Sequence, residues 1–288
     1  MNAPASTLPL ALSTPLHIGA VGLKVRDLDR LDAFYRDTLG LLEIARSDAS
    51  VILGAGGTGF LYLEHDPTAL PDDRHTAGLF HTAFLMPSRA DLAHWVARAA
   101  RSRLPITGAA DHGVSEAIYL DDPEGNGIEV YADRDPATWR RNDGLVDMTT
   151  ERLDLDALLA MPDAQAPYEA APDALRIGHV HLRVGDVARA ESFYRDALGL
   201  DRVGAYRGAA FLSSGGYHHH IATNVWQSSG AGARDDRRAG LAWLVFEASD
   251  VATRDATLAR LEAAGVPVTP ENDAMAVRDP WGTRIRLR

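Results

Sequence analysis

The 288-residue chain contains no cysteine, which removes disulfides, thiolate zinc sites, iron–sulfur clusters and a cysteine nucleophile from consideration. Any metal would have to be held by His, Asp or Glu. Basic charge is also short, with 29 Lys and Arg against 40 Asp and Glu and a formal net charge of -11. Such a chain repels polyanions, so nucleic acid is not an expected partner. No apolar run approaches the roughly 18 residues that a membrane-crossing helix requires. Residues 1–15 carry no Lys or Arg ahead of their short apolar stretch, so the basic region of a secretory signal is missing. These absences predict a cytoplasmic protein with no membrane partner, opening on a flexible lead-in over residues 1–15. The glycine cluster at Gly54 runs into another strand-like stretch, FLYLE, with no helix to receive a phosphate.

What the chain does have is an internal repeat, which fixes architecture before any single element is assigned. Residues 16–44 and 175–203 share 15 identities in 29 positions at a constant offset of 159, and the offset holds through VILGAGG and AFLSSGG. Each copy opens on an alternating strand, then an Asp suited to start a helix (Asp27, Asp186). That helix carries Phe34-Tyr35 or Phe193-Tyr194 and ends at Gly40 or Gly199, where glycine suits the left-handed position. A second pair is visible in GLFHTAF from Gly78 and GLAWLVF from Gly240, each followed by a helix, a DP-x-G turn and a final strand. The chain thus divides into four βαβββ modules starting near residues 16, 78, 175 and 240. Modules one and two occupy 16–133, a Pro-punctuated linker with one helical stretch occupies 134–174, and modules three and four occupy 175–288.

Four such modules, with FYRDxLGL helices and DPxGNxIEVY final strands, resemble the vicinal oxygen chelate superfamily, and within it the extradiol dioxygenases of the catechol 2,3-dioxygenase type. The resemblance implies an α+β fold of two cupped mixed sheets, with metal ligands on the first and last strands of modules. At the first-strand position the four modules carry Ala20, His81, His179 and Trp243; at the final-strand position modules two and four carry Glu129 and Arg286. Only modules two and three retain ligand types. His81, Glu129 and His179 together make the two-histidine, one-carboxylate triad of non-haem Fe(II), which leaves coordination positions open; Mn(II) is the alternative ion. Modules two and three must then face one another across the linker, leaving modules one and four to form a second cup without metal.

The same resemblance selects His219, within the run His218-His219-His220, as the catalytic acid–base residue. If the run lies in a strand, His219 projects to one face and its neighbours to the other. Tyr119, ten residues before Glu129, matches a tyrosine that bonds a metal-bound substrate oxygen, and His112 a supporting histidine, although its spacing to Tyr119 is short for the family. The implied activity is oxidative opening of a catechol ring with O₂ by a homo-oligomeric enzyme. Two alternatives remain at this point: a glyoxalase-type lyase or isomerase, with a fourth protein ligand from His218–His220, and a non-catalytic small-molecule-binding protein of the same fold.

Overall fold

The computed structural model describes residues 9–288. The first module comprises β1 (Leu16–Val25), α1 (Leu28–Leu39), β2 (Leu42–Ser47), β3 (Ser50–Ala55) and β4 (Thr58–His65); the second comprises β5 (Gly78–Leu85), α2 (Arg89–Arg101), β6 (Ile106–Asp111), β7 (Ser115–Asp121) and β8 (Gly127–Asp133). A connecting segment follows, holding the two-residue strands β9 (Arg141–Asn142) and β10 (Leu145–Val146) and the helix α3 (Leu155–Leu159). The third module contains β11 (Arg176–Arg183), α4 (Val187–Ser192), β12 (Asp201–Tyr206), β13 (Ala209–Ser213) and β14 (Ile221–Asn224). The fourth contains β15 (Gly240–Ala248), α5 (Val251–Ala263), β16 (Thr269–Glu271), β17 (Ala274–Arg278) and β18 (Arg284–Leu287).

Local chemistry sets the element ends. Asp27 accepts the Arg30 N–H and caps α1, and Gly40 closes it at φ 74°, a left-handed conformation that costs glycine little. Asp186 caps α4 in the same way through Arg189, but the FYRDA stretch that follows winds as a π-turn, Phe193–Ala197. The expected single helix of module three is therefore two segments.

Apart from the β9–β10 pair, the strands form two mixed eight-stranded sheets. One runs β16-β17-β18-β15-β1-β4-β3-β2, the other β12-β13-β14-β11-β5-β8-β7-β6. Modules four and one share the first sheet, joined by β15 and β1, while modules three and two share the second, joined by β11 and β5. The fold is α+β. Consecutive modules are tied instead through their helices: Tyr35 on α1 donates to Asp122 in the DP-x-G turn of module two (2.9 Å), and Tyr194 donates to Asp279 in module four (3.1 Å). Both Asp122 and Asp279 also accept backbone N–H groups of their own turns, so neither carboxylate is left without donors.

In the sheet of modules one and four the centre is filled by protein. Trp243 pairs with Gly22 across β1 and β15, donates its indole N–H to Glu64 (2.6 Å), and lies 4.0 Å beneath the Arg286 guanidinium. A Cβ at position 22 would sit 2.2 Å from the indole, so only glycine allows this packing. Arg286 is held in turn by Glu271 (2.7 Å).

Two regions differ from the expectation for them. Residues 9–15, assigned to the lead-in, form a 3-10 turn at Leu10–Leu12 with Ala11 fully buried; residues 1–8 lie outside the described part. The 134–174 segment packs rather than spans: Trp139, Val146 and Leu158 are buried, and α2 lies against it through Arg101, which donates to the Ala164 carbonyl. Among the described residues no helix is long and apolar enough to cross a membrane.

Candidate metal centre

Strand register brings the centre together. Across β11 and β5 His181 stands opposite His81 and His179 opposite Ala83; across β5 and β8 Ala83 stands beside Glu129; across β7 and β8 Glu129 stands beside Tyr119. Four strands from two halves of the chain thereby place His179, His81, Glu129 and Tyr119 on neighbouring positions. The backbone slips register between Ile177 and His179 and again after His181, which turns these side chains inward.

Glu129 Oε2 lies 3.0 Å from His81 Nε2 and 3.1 Å from His179 Nε2. All three residues are buried, and their candidate ligand atoms lie within 4.8 Å of one another. His179 makes a hydrogen bond to the carboxylate, whereas the buried His81 nitrogen is too poorly aligned and has no hydrogen-bond partner. An orphaned imidazole nitrogen aimed at a shared carboxylate oxygen is what an absent central cation would leave. Spacing agrees: adjacent ligands of a six-coordinate ion with bonds of roughly 2.1 Å lie about 3.0 Å apart.

Protonation states also suit a cation. Burial lowers the pKa of His179 to about 4, with His81 and His218 adding to the effect, so its imidazole is neutral at pH 7. Burial alone would raise Glu129, but His179 and His81 more than offset it and hold the carboxyl well below its usual range. A neutral imidazole and an ionised carboxylate are the ligand forms a divalent ion requires.

The centre opens into a cavity of about 720 Å³ lined by His81, Glu129, Tyr119, His112, His181 and His219 on its polar side and by Phe80, Phe211, Trp226 and Met148 on its apolar side. Tyr119 donates to His112 Nε2 (2.7 Å), because His112 Nδ1 is committed to the Thr149 carbonyl (2.7 Å). Burial, then the charge of Glu129, pushes the Tyr119 hydroxyl well above its ordinary range. His219 packs at a tilt of 50° against His179 with ring centres 4.0 Å apart. Burial beside His179 and His218 holds it neutral, well below the usual histidine range.

The histidine run is not in a strand. Gly215 and Gly216 adopt positive φ, and β14 begins only at Ile221, so His218–His220 form a turn above the centre. His218 points to Asp133, and His220 is buried against the 9–15 segment, where its Nε2 meets the Ala11 carbonyl at 2.9 Å.

Two contributors escaped the sequence reading. His181 lines the cavity and packs edge-on to His81; it sits two residues after His179, opposite Gly22 in module one, so the module comparison that singled out His179 contains the signal. The cavity wall formed by residues 146–150 lies in the segment taken as linker and carries no motif.

A βαβββ repeat whose sheet cups two histidines and a carboxylate defines a class of protein with a candidate metal site in its cup. The chain belongs to the Glyoxalase/Bleomycin resistance protein/Dioxygenase superfamily, whose family model matches residues 17–130 and 176–287. It is 38% identical over 270 residues to a catechol-2,3-dioxygenase of Bacillus subtilis (strain 168), covering 92% of this chain and 94% of that protein. Its fold is similar to that of glyoxalase I from Zea mays, with a TM-score of 0.58 at 17% identity over 96% of this chain and 93% of that one. The cppA protein of Streptococcus pneumoniae TIGR4 is similar to a comparable degree, with a TM-score of 0.56 at 14% identity over 94% and 98% of the two chains.

Proposed function

We propose that this protein is an extradiol dioxygenase that opens the ring of a catechol beside its two hydroxyls, using O₂ and Fe(II), with Mn(II) as the alternative metal. The observation that carries the reading is the convergence of His81, Glu129 and His179 at the base of an aromatic-lined cavity. The relative named catechol-2,3-dioxygenase supports it. A bound Fe(II) would supply Lewis acidity, redox chemistry and neighbouring open positions for substrate and dioxygen.

The protein's own groups have separable tasks. Tyr119, oriented by His112, offers a hydroxyl beside Glu129 to hold a substrate oxygen. His219, neutral and directed into the cavity, takes a hydroxyl proton and can return it. Phe80, Phe211 and Trp226 give the ring an apolar wall and exclude water. On this reading the partners are a small aromatic diol and dioxygen, and the enzyme is cytoplasmic. A glyoxalase-type lyase would need a fourth protein ligand, whereas the convergent group among the described residues has three.

The test is anaerobic loading with Fe(II), then catechol and air. Appearance of the yellow ring-fission product, lost in His179→Ala, is the expected result. No such product across a panel of substituted catechols, from protein with one metal ion per chain, would refute the assignment.

A further inference from the structure

His218 is fully enclosed, and both its ring nitrogens are engaged. Its side chain is 0% exposed among Tyr131, Trp139 and Tyr217. Nε2 lies 2.8 Å from Asp133 Oδ1, and Nδ1 lies 2.8 Å from Nδ1 of His219. Asp133 ends β8, the strand that carries Glu129, and its side chain is 15% exposed. The same carboxylate oxygen accepts from the Tyr217 hydroxyl at 3.2 Å, which in turn meets Tyr131 at 2.7 Å. The proposed reaction uses neither His218 nor Asp133.

Hydrogen-bond bookkeeping fixes the direction of the chain. A carboxylate can only accept, so His218 must carry an N–H on Nε2, and with that as its single ring proton its Nδ1 is a lone pair. The 2.8 Å contact then requires His219 to carry its proton on Nδ1. Nε2 of His219, which makes no hydrogen bond among the described residues, is left as a lone pair on a ring that lines the cavity. We infer that Asp133 and His218 are positioning residues that lock His219 in the Nδ1–H tautomer, presenting its Nε2 lone pair to the substrate as a base. The logic is that of a hydrogen-bonded acid orienting a catalytic imidazole, with a second imidazole inserted between them.

The catalytic meaning of this relay rests on the proposed dioxygenase reading; the tautomer itself does not, and the two are measured separately. Full-length protein labelled with ¹⁵N-histidine and loaded with Zn(II), a diamagnetic probe, gives long-range proton–nitrogen spectra in which the two tautomers are distinct. His219 is assigned by loss of its signals in His219→Asn. The expected result is a single His219 tautomer with the proton on Nδ1, becoming a mixture in Asp133→Ala and in His218→Phe. With Fe(II) and catechol, both variants should lose about 10–100-fold in kcat with KM within about twofold and metal content unchanged, the range typical of losing a group that orients a catalytic histidine. A wild-type His219 protonated on Nε2 overturns the inference, even if neither variant folds. So does an unaltered tautomer and kcat in both variants. Absence of ring fission in every form, alongside the expected tautomer, would refute the dioxygenase assignment and leave the relay standing.

Discussion

The buried His220, packed against the 9–15 segment, makes a measurable demand on stability. His220 is fully enclosed, with Nε2 held to the Ala11 carbonyl at 2.9 Å and Nδ1 accepting from the Ser214 N–H at 3.3 Å. Burial lowers its pKa from 6.5 to about 3. The sign follows from proton uptake: a base whose folded pKa is depressed binds fewer protons in the native state than in the unfolded state, so stability falls as pH falls. The loss is absent above about pH 6.5, grows by ~1.4 kcal/mol per pH unit below it, and saturates near pH 3 at ~5 kcal/mol. Between pH 7.5 and 5.0 it amounts to ~2 kcal/mol. The assay is urea unfolding of metal-free protein at both pH values, comparing wild type with His220→Gln, which keeps a donor for Ala11 but cannot titrate. At pH 7.5 the variant should be weaker by about 1 kcal/mol, the worth of an imperfectly replaced hydrogen bond. At pH 5.0 the order should reverse, the wild type having lost ~2 kcal/mol more and the variant being the more stable by ~1 kcal/mol. Equal acid losses in the two proteins would refute the argument, since the titrating group would then lie elsewhere.

Three further outcomes follow from separate parts of the molecule. Glu129→Gln retains shape but removes the charge shared by His81 and His179; zinc binding measured by calorimetry should weaken by at least about 100-fold, taking the upper end of the loss seen for orienting groups as a floor. Trp243→Ala, in the protein-filled cup, should cost about 3–5 kcal/mol of stability through the cavity it leaves, while metal content stays at the wild-type level; a parallel loss of metal would mean the two cups are not independent. Tyr35→Phe deprives the buried Asp122 of one donor and should lower stability by about 1–2 kcal/mol in thermal melts, and combining it with Tyr194→Phe should give roughly the sum, because the clamps share no partner.

The architecture was legible because duplication wrote it twice. A constant offset of 159 aligned Ala20 with His179 and Gly22 with His181, so a difference between sister modules could be treated as a signal without any other sequence. Pairing of module two with module three followed from which modules retained ligand types, and β5 does pair with β11. What local pattern could not supply was conformation set by distant contacts. His218–His220 form a turn rather than a strand because Gly215 and Gly216 take positive φ and because His220 is captured by Ala11, some 209 positions away in sequence. The cavity wall at 146–150 has no periodicity to betray it; its shape comes from backbone bonds to a neighbouring strand end, such as the Thr149 N–H to the His112 carbonyl (3.0 Å).

One cross-strand pair distinguishes the two cups. Where β1 meets β15 the pair is Gly22 with Trp243; where β11 meets β5 it is His181 with His81. The first combination places a large indole over a bare backbone and closes the sheet with a cation stacked on it, so the centre is satisfied by protein alone. The second leaves two imidazoles facing a cavity, with a buried carboxylate at hand and one ring nitrogen without a partner. A buried polar set of that kind costs stability unless something completes it. The chain can carry such a cost in one sheet because the other is packed with apolar and stacked groups. The links between them, the Tyr35–Asp122 and Tyr194–Asp279 clamps, join each half of the sheet that carries His81 and His179 to a module of the filled one. Folding of the filled sheet therefore restrains both edges of the seam at which His81 and His179 must meet, and the geometry of the candidate centre depends on a sheet that carries none of its three side chains.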